Sequence, residues 1–258
     1  MSYARRALVA SPTAPAQAAA RELADAWDWC DPADADVVIA LGGDGFLLQT
    51  LHTMLERRGP APPVFGMNLG TVGFLMNEWR HHGLDDRLEH ARAFKVLPLK
   101  MTATGMDGRV HTHNAINEVS LLRETRQTAK LEVTVNDRVV IAELACDGIL
   151  AATPAGSTAY NLSAHGPILP LGAGLIALTP ISPFRPRRWR GAILPDKARI
   201  GLKVLNPGKR PVSAVADQYE IRDVAQVDIV MDRARELTLL FDPEHALDDR
   251  ITMEQFIA

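Results

Sequence analysis

The apolar run Val37-Val38-Ile39-Ala40-Leu41 passes directly into Gly42-Gly43-Asp44-Gly45 and then into a helical pattern that starts at Phe46. A glycine turn between a strand and a helix N-terminus offers an anion several backbone N–H groups and the positive end of the helix dipole. Glycine lets the backbone turn tightly and lets a phosphate approach with no Cβ in the way. The residues fit neither GxxxxGK[ST] nor GxGxxG, so the Walker-type and dinucleotide-fold fingerprints are both absent. A carboxylate repels phosphate, so Asp44 is poorly suited to phosphate binding as such. Beside a bound polyphosphate it could instead take the proton from an attacking hydroxyl, with a divalent ion offsetting the local negative charge. The same residues also fit a plain Asx-type turn or a helix N-cap.

A second glycine turn, Gly66-Met67-Asn68-Leu69-Gly70-Thr71-Val72-Gly73-Phe74, follows the next apolar run. In a parallel sheet both turns sit at carboxyl ends of strands, where open α/β folds bind ligands. Further on, Gly148 to Phe184 contains no Asp, Glu, Lys or Arg, although about one residue in four is normally charged. The small and hydroxyl side chains from Asp147 to Ser163 suit a close pocket for a neutral planar group such as adenine or nicotinamide. A loop that only covers a sheet has the same composition. Ser157 is not in a GxSxG elbow, which argues against a serine hydrolase with His165. Asn117-Glu118 could hold ribose hydroxyls or a metal-bound water, or simply end a strand. His111 and His113 share a strand face but lack a third ligand at useful spacing. Arg185, Arg187, Arg188 and Arg190 follow the uncharged stretch, as a solvated face or as forks for phosphate.

The elements that must position these residues read as two kinds. Arg6–Ala10, Val37–Leu41 and Pro63–Met67 look like buried strands, while Ala16–Trp27 and Phe46–Arg57 look like helices, the second with Leu47, Leu48, Leu51, Met54 and Leu55 on one face. Strand and helix in alternation predict a Rossmann-like α/β domain with a parallel sheet over residues 1–97. From Lys95 the period changes: Leu131–Val135, Arg199–Val204 and Val227–Val230 alternate, with turn signals at Asp107-Gly108, Asn136-Asp137 and Asn206-Pro207-Gly208. These predict an all-β sandwich over 98–243, and a tail, 244–258, that packs back on the first domain.

The chain has 258 residues, with 28 Lys plus Arg against 31 Asp plus Glu, a formal net charge of −3. That balance excludes a polybasic nucleic-acid glove as a whole-chain property. With 47% hydrophobic and 5% aromatic residues, the core must be mostly Ala, Leu, Val and Ile. Cys30 and Cys146 form no CxxC motif or disulfide framework, which fits a reducing cytoplasm. Ala7–Ala10 is too short for a signal peptide, and Ile168–Leu178, bounded by prolines, falls far short of the about 20 apolar residues of a membrane span.

Taken in order and spacing, Gly42–Gly45, Gly66–Leu75, Asn117-Glu118, Asp147-Gly148, Thr153–Tyr160 and Ser163–Ile168 resemble the bacterial NAD kinases. The Gly-Gly-Asp-Gly turn alone is shared with lipid kinases and phosphofructokinases, whereas the Thr-Pro-x-Gly-Ser-Thr-Ala-Tyr block is highly specific. The resemblance implies ATP-dependent transfer of a γ-phosphoryl group to the 2′-hydroxyl of the adenosine ribose of NAD, giving NADP, with Mg²⁺ or another divalent ion. It implies a homodimer or homotetramer. Asp44 becomes the base, and Gly42, Gly43, Gly45 and Asn68 the ATP phosphate contacts. NAD contacts are implied for Asp44, Gly45, Phe74, Asn117, Glu118, Ala145, Asp147, Ala155, Thr158, Ala159, Tyr160, Asn161, Ser163, Ser182 and Gln218. Phe46 stands where many members have Thr, Ala155 where many have a polar residue, and Ala216-Asp217-Gln218 where Asp-Gly-Gln is often seen. Polyphosphate is an alternative donor. Rival readings are a lipid or sugar kinase, a diguanylate cyclase, whose motif has an acidic fourth residue where this chain has Gly45, and a nucleotide sensor, which needs no Asp44.

Overall fold

The computed structural model describes residues 3–57, 59–71 and 73–243. They form two compact units, one holding the chain up to Val96 and again from Arg235, the other Leu97–Ala234.

The first unit runs β1 (Arg6–Ala10), α1 (Ala14–Ala24), β2 (Val37–Gly42), α2 (Asp44–Leu55), β3 (Val64–Asn68), β4 (Asn77–Glu78), α3 (Leu84–His90) and β5 (Arg92–Val96). β2 is buried at every position, as expected of a parallel strand covered on both faces. α1 starts with a proline in its first turn and buries Ala16, Ala19 and Leu23; α2 buries Leu47, Leu51, Met54 and Leu55.

The second unit contains β6 (Leu99–Gly105), β7 (Val110–Ala115), β8 (Glu118–Arg123), β9 (Ala129–Val135), β10 (Arg138–Cys146), β11 (Gly148–Ala152), α4 (Tyr160–Ser163), β12 (Leu175–Ile181), β13 (Ala192–Pro195), β14 (Ile200–Val204), β15 (Val212–Ala216), β16 (Tyr219–Ile221) and β17 (Val224–Met231). The strands make two six-stranded sheets, ordered β10-β9-β14-β17-β6-β7 and β13-β12-β11-β8-β15-β16. Between them lies one core that includes Leu121, Leu131, Val133, Ile149, Leu202 and Ile229, filled, among the described residues, without a fully buried aromatic ring. β9 and β14 alternate buried and open positions as the sequence pattern predicts.

β11 and β12 break that alternation. β11 is buried at all five positions, with Ile149 and Ala151 facing the sandwich core and Leu150 and Ala152 facing a second cluster with Leu169 and Ala177. Tyr160 and Ala164 pack on that second cluster. Charge is therefore missing from Gly148–Ala152 and Leu175–Ile181 because both faces of these strands are dry, and the intervening loop is in part a cover for the sheet.

After Ala234 the chain returns to the first unit as β18 (Leu237–Phe241), giving the order β1-β2-β3-β18-β5 with β4 beside β3. β18 is parallel to β3 and antiparallel to β5. Residues 235–243 thus belong with the α/β unit, where the sequence boundary had put them in the sandwich. Leu-Thr-Leu-Leu-Phe looks like a strand of either unit, and only its pairing decides. At the end of β18, Asp242 holds Arg87 through two hydrogen bonds of 2.9 and 2.6 Å, and the guanidinium lies over the Phe65 ring. The tail expected to pack back, 244–258, lies outside the described residues.

Candidate functional site

In the first unit the two glycine turns are joined. Gly42, the last residue of β2, accepts a hydrogen bond from Leu69 N–H at 2.6 Å, and Gly70 meets Gly43 glycine to glycine. Asn68 Oδ1 accepts from Gly70 N–H at 2.9 Å and shapes the second turn. Gly73 takes φ of +73°, where a side chain would be strained and would collide with Asn68. The chain then presents two N–H groups to Asp44: Phe74 N–H to Oδ2 and Leu75 N–H to Oδ1, each at 2.9 Å.

Asp44 is therefore neither an Asx turn nor an N-cap. The cap position is Gly43, without a side-chain bond, and Asp44 is the first residue of α2. Its carboxylate is clamped between two turns, yet each oxygen retains a further lone pair for a proton. Next to it Gly45 is exposed and faces open space among the described residues, so the N–H groups of Asp44 and Gly45, too near the start of α2 to find intrahelical acceptors, lie beside room for a phosphate. The structure thus assembles Gly42, Gly43, Asp44, Gly45, Asn68 and Phe74. Leu75, absent from the sequence reading, joins them through its backbone, which no side-chain pattern could signal.

In the second unit the site residues gather around the start of β8. Thr153 N–H donates to Asn117 O at 2.9 Å and Thr153 Oγ1 to Ile116 O at 2.7 Å, while Gly156 N–H donates back to Thr153 Oγ1 at 3.0 Å. A Cβ on Gly156 would collide with the Asn117 backbone, so glycine is what lets the Thr153–Ser163 segment approach. The Tyr160 N–H bonds to the Glu118 carboxyl. Burial, and after it the charge of Asp217, nevertheless pushes Glu118 up to about 7. Burial also raises the Tyr160 phenol, with Glu118 and Asp147 adding to the effect. Among the described residues, Asn117 Oδ1 and Glu118 Oε2 are buried with no hydrogen-bond partner.

The segment divides into scaffold and open face. Ser157 is fully buried, donating to Pro154 O at 2.7 Å and accepting from Leu169 N–H at 3.0 Å. Asn161 is buried as well, its amide donating to Ser157 O and Pro167 O and accepting from Thr179 Oγ1. Asn161 thereby holds the loop in place. Ala155 and Ala145 are buried, Thr158, Ala159 and Tyr160 are half-buried, and Ser163 is exposed. Asp147 pairs with Arg123 at 2.6 Å, a partner the sequence reading did not foresee. Ser182 and Gln218 are exposed on turns, and the Ala145 carbonyl accepts from Phe184 and Arg185 N–H. Arg185, Arg187, Arg188 and Arg190 are all exposed. His113 stacks on Tyr219 at 4.9 Å, and no group of three or more His, Cys, Asp or Glu fit for a metal occurs among the described residues.

Residues 10–90 match the ATP-NAD kinase N-terminal domain and residues 116–246 the ATP-NAD kinase C-terminal domain. The chain belongs to the ATP-NAD kinase family. It is 65% identical over 256 residues to the NAD kinase of Rhizorhabdus wittichii and 61% identical over 256 residues to that of Zymomonas mobilis, each time covering 99% of both chains. The yeast NADH kinase crystallised with NADH shares the fold with TM-score 0.81 at 21% identity, over 98% of this chain and 87% of that one. An Archaeoglobus fulgidus NAD kinase crystallised with ATP gives 0.75 at 22%, over 98% and 100%. Membership in the ATP-NAD kinase family makes the chain a phosphotransferase that acts on NAD. The α/β unit and the antiparallel sandwich are the fold expected from the resemblance.

Proposed function

We propose that the chain transfers the γ-phosphoryl group of ATP to the 2′-hydroxyl of the adenosine ribose of NAD, with Asp44 as general base. The observation that carries this is the Asp44 carboxylate, held by two backbone N–H groups at the first turn of α2 beside the open space at Gly45. Phosphoryl transfer asks for positioning and charge stabilisation more than covalent chemistry from the protein. The N–H groups at Gly43, Asp44 and Gly45 would receive the transferred phosphate, and an Asp44 oxygen would take the hydroxyl proton as the ribose O–P bond forms. The bond from Pγ to the bridging oxygen breaks and ADP leaves. Asn117 and Glu118 would meet the ribose and adenine side of NAD, Asp147 the nicotinamide half, and Thr158, Ala159, Tyr160 and Ser163 the pocket wall. Ser182 and Gln218 would add contacts from their turns.

The expected Mg²⁺ enters this scheme with the nucleotide substrate, whose phosphates it would bind. No helix among them is long and apolar enough to cross a membrane. Two free cysteines support a cytoplasmic setting, and exposed Val139, Val140 and Ile193 on strands support a homo-oligomer.

The deciding experiment incubates purified protein with ATP, Mg²⁺ and NAD and measures NADP with an NADP-specific dehydrogenase. NADP should accumulate with time and enzyme. Product no higher than in the enzyme-free control overturns the assignment, and product from polyphosphate without ATP reassigns the donor.

A further inference from the structure

The turn between β15 and β16 carries an acidic group that the reaction scheme does not use. Asp217 has φ of +50°, in the left-handed region that aspartate tolerates better than most residues. Its carboxylate reaches across to the corner between β7 and β8. Oδ2 accepts from Ile116 N–H at 2.6 Å, and Oδ1 from the N–H groups of Asn117 and Glu118 at 3.0 and 3.1 Å. In return Asp217 N–H donates to Glu118 O at 3.1 Å. With Thr153 bonded to the carbonyls of Ile116 and Asn117, this leaves the corner little freedom. Yet the side chains of the same two residues carry the orphaned oxygens, Asn117 Oδ1 and Glu118 Oε2. A fixed backbone under unpartnered buried acceptors is what a folded protein avoids unless a ligand brings the donors.

We propose that Asp217 is a positioning residue for NAD: by binding three successive N–H groups it fixes the Asn117–Glu118 corner so that both side chains meet the dinucleotide in one geometry. This rests on the NAD-binding role proposed above for Asn117 and Glu118. The clamp also places a negative charge against Glu118, whose carboxyl is raised by burial first and by Asp217 second. Among the described residues, Glu118 in turn acts on the Tyr160 phenol together with Asp147, itself paired with Arg123. Removing the Asp217 charge should therefore let Glu118 ionise at lower pH.

The test uses the whole enzyme and measures NAD affinity by calorimetry without ATP, across pH, together with steady-state kinetics. Asp217→Gly keeps the left-handed turn and removes the acceptors; Asp217→Asn keeps the turn and one acceptor and removes the charge. Asp217→Gly should weaken NAD binding about tenfold or more, and Asp217→Asn less, with kcat at saturating NAD within about threefold. In Asp217→Asn the pH at which NAD affinity changes should also move down. Unchanged affinity in both variants overturns the proposal, as does an unmoved pH inflection in Asp217→Asn, which decides alone if Asp217→Gly fails to fold. Glu118→Gln and Asn117→Ala separate the two layers. If they weaken NAD binding while the Asp217 variants do not, only the positioning role fails; if they leave it intact, the reading of the corner fails with it.

Discussion

Asp44 and Glu118 are both carboxyl groups held by backbone N–H groups, and their surroundings give them different work. Both oxygens of Asp44 are anchored, so its position is set by the meeting of two turns and not by its own rotamer. Replacing it with Asn keeps the size and one acceptor but removes the ability to take a proton. Asp44→Asn should lose about 10²–10⁴ in kcat, the usual contribution of a general base, while NAD affinity stays within a few fold. Wild-type turnover in that variant would show that Asp44 is not the base. Glu118, raised from an ordinary 4.5 to about 7, leads to a stability prediction. Between those values the folded protein keeps a proton that the unfolded chain has released. This group's stabilising balance is thus best below about pH 4.5 and declines as pH rises through about 7. Glu118→Gln cannot ionise. Its stability should match the parent near pH 4.5 and exceed it at pH 8 by about 3 kcal/mol at most, read as a higher melting temperature at pH 8. A gap that does not widen with pH would refute the assignment of a raised carboxyl.

At the scale of elements, the Thr153–Ser163 segment depends on one close approach. Gly156→Ala would push a methyl group against the Asn117 backbone, which cannot swing aside as a side chain tip can. The 3₁₀ turn Ala155–Thr158 should shift, raising the KM for NAD about tenfold while the KM for ATP stays near wild type. Equal rises in both would point to general loosening of the fold. This segment also marks how far the sequence could be read. β1, β2, β3 and both long helices were legible because each carries its own period, and Asp44 because a charge in a glycine turn is conspicuous. Beneath the missing charges of Gly148–Phe184 lay two causes, doubly buried strands and a loop rich in small residues, and composition cannot separate them. The place of β18 in the first sheet was not legible, since partner choice across the chain leaves no local trace. Leu75 and Arg123 were invisible for a similar reason: one acts through its backbone, the other by pairing with Asp147 across β8 and β11. The loop-holding hydrogen bonds of Asn161 leave no mark in the sequence either, since two of its three partners are backbone carbonyls.

At the scale of the whole molecule, a net charge of −3 is small enough that self-association meets little long-range repulsion, so short-range surface features decide it. Within the sandwich, β10 and β13 are edge strands of the two sheets, and both expose apolar residues: Val139 and Val140 at 54% and 55%, Ile193 at 54%. The Ala145 carbonyl tethers Phe184, itself 46% exposed, to the end of β10. Unpaired edges invite strand addition, but register shifts in β10 blunt that mode and favour contact by side-chain burial. The prediction is a homo-oligomer joined through these residues. Val139→Lys with Val140→Lys adds two charges to a strand already open to solvent, so the fold should survive with a melting temperature within a few degrees of the parent. Sedimentation velocity should show the parent as a dimer or tetramer and the double variant as a smaller species. A parent that sediments as a monomer at micromolar concentration would refute the oligomer, and an unchanged sedimentation coefficient in the variant would move the contact off β10. If the smaller species also loses NAD affinity, subunit contact and substrate binding are coupled; if it turns over at the parental rate, each chain holds a site sufficient by itself.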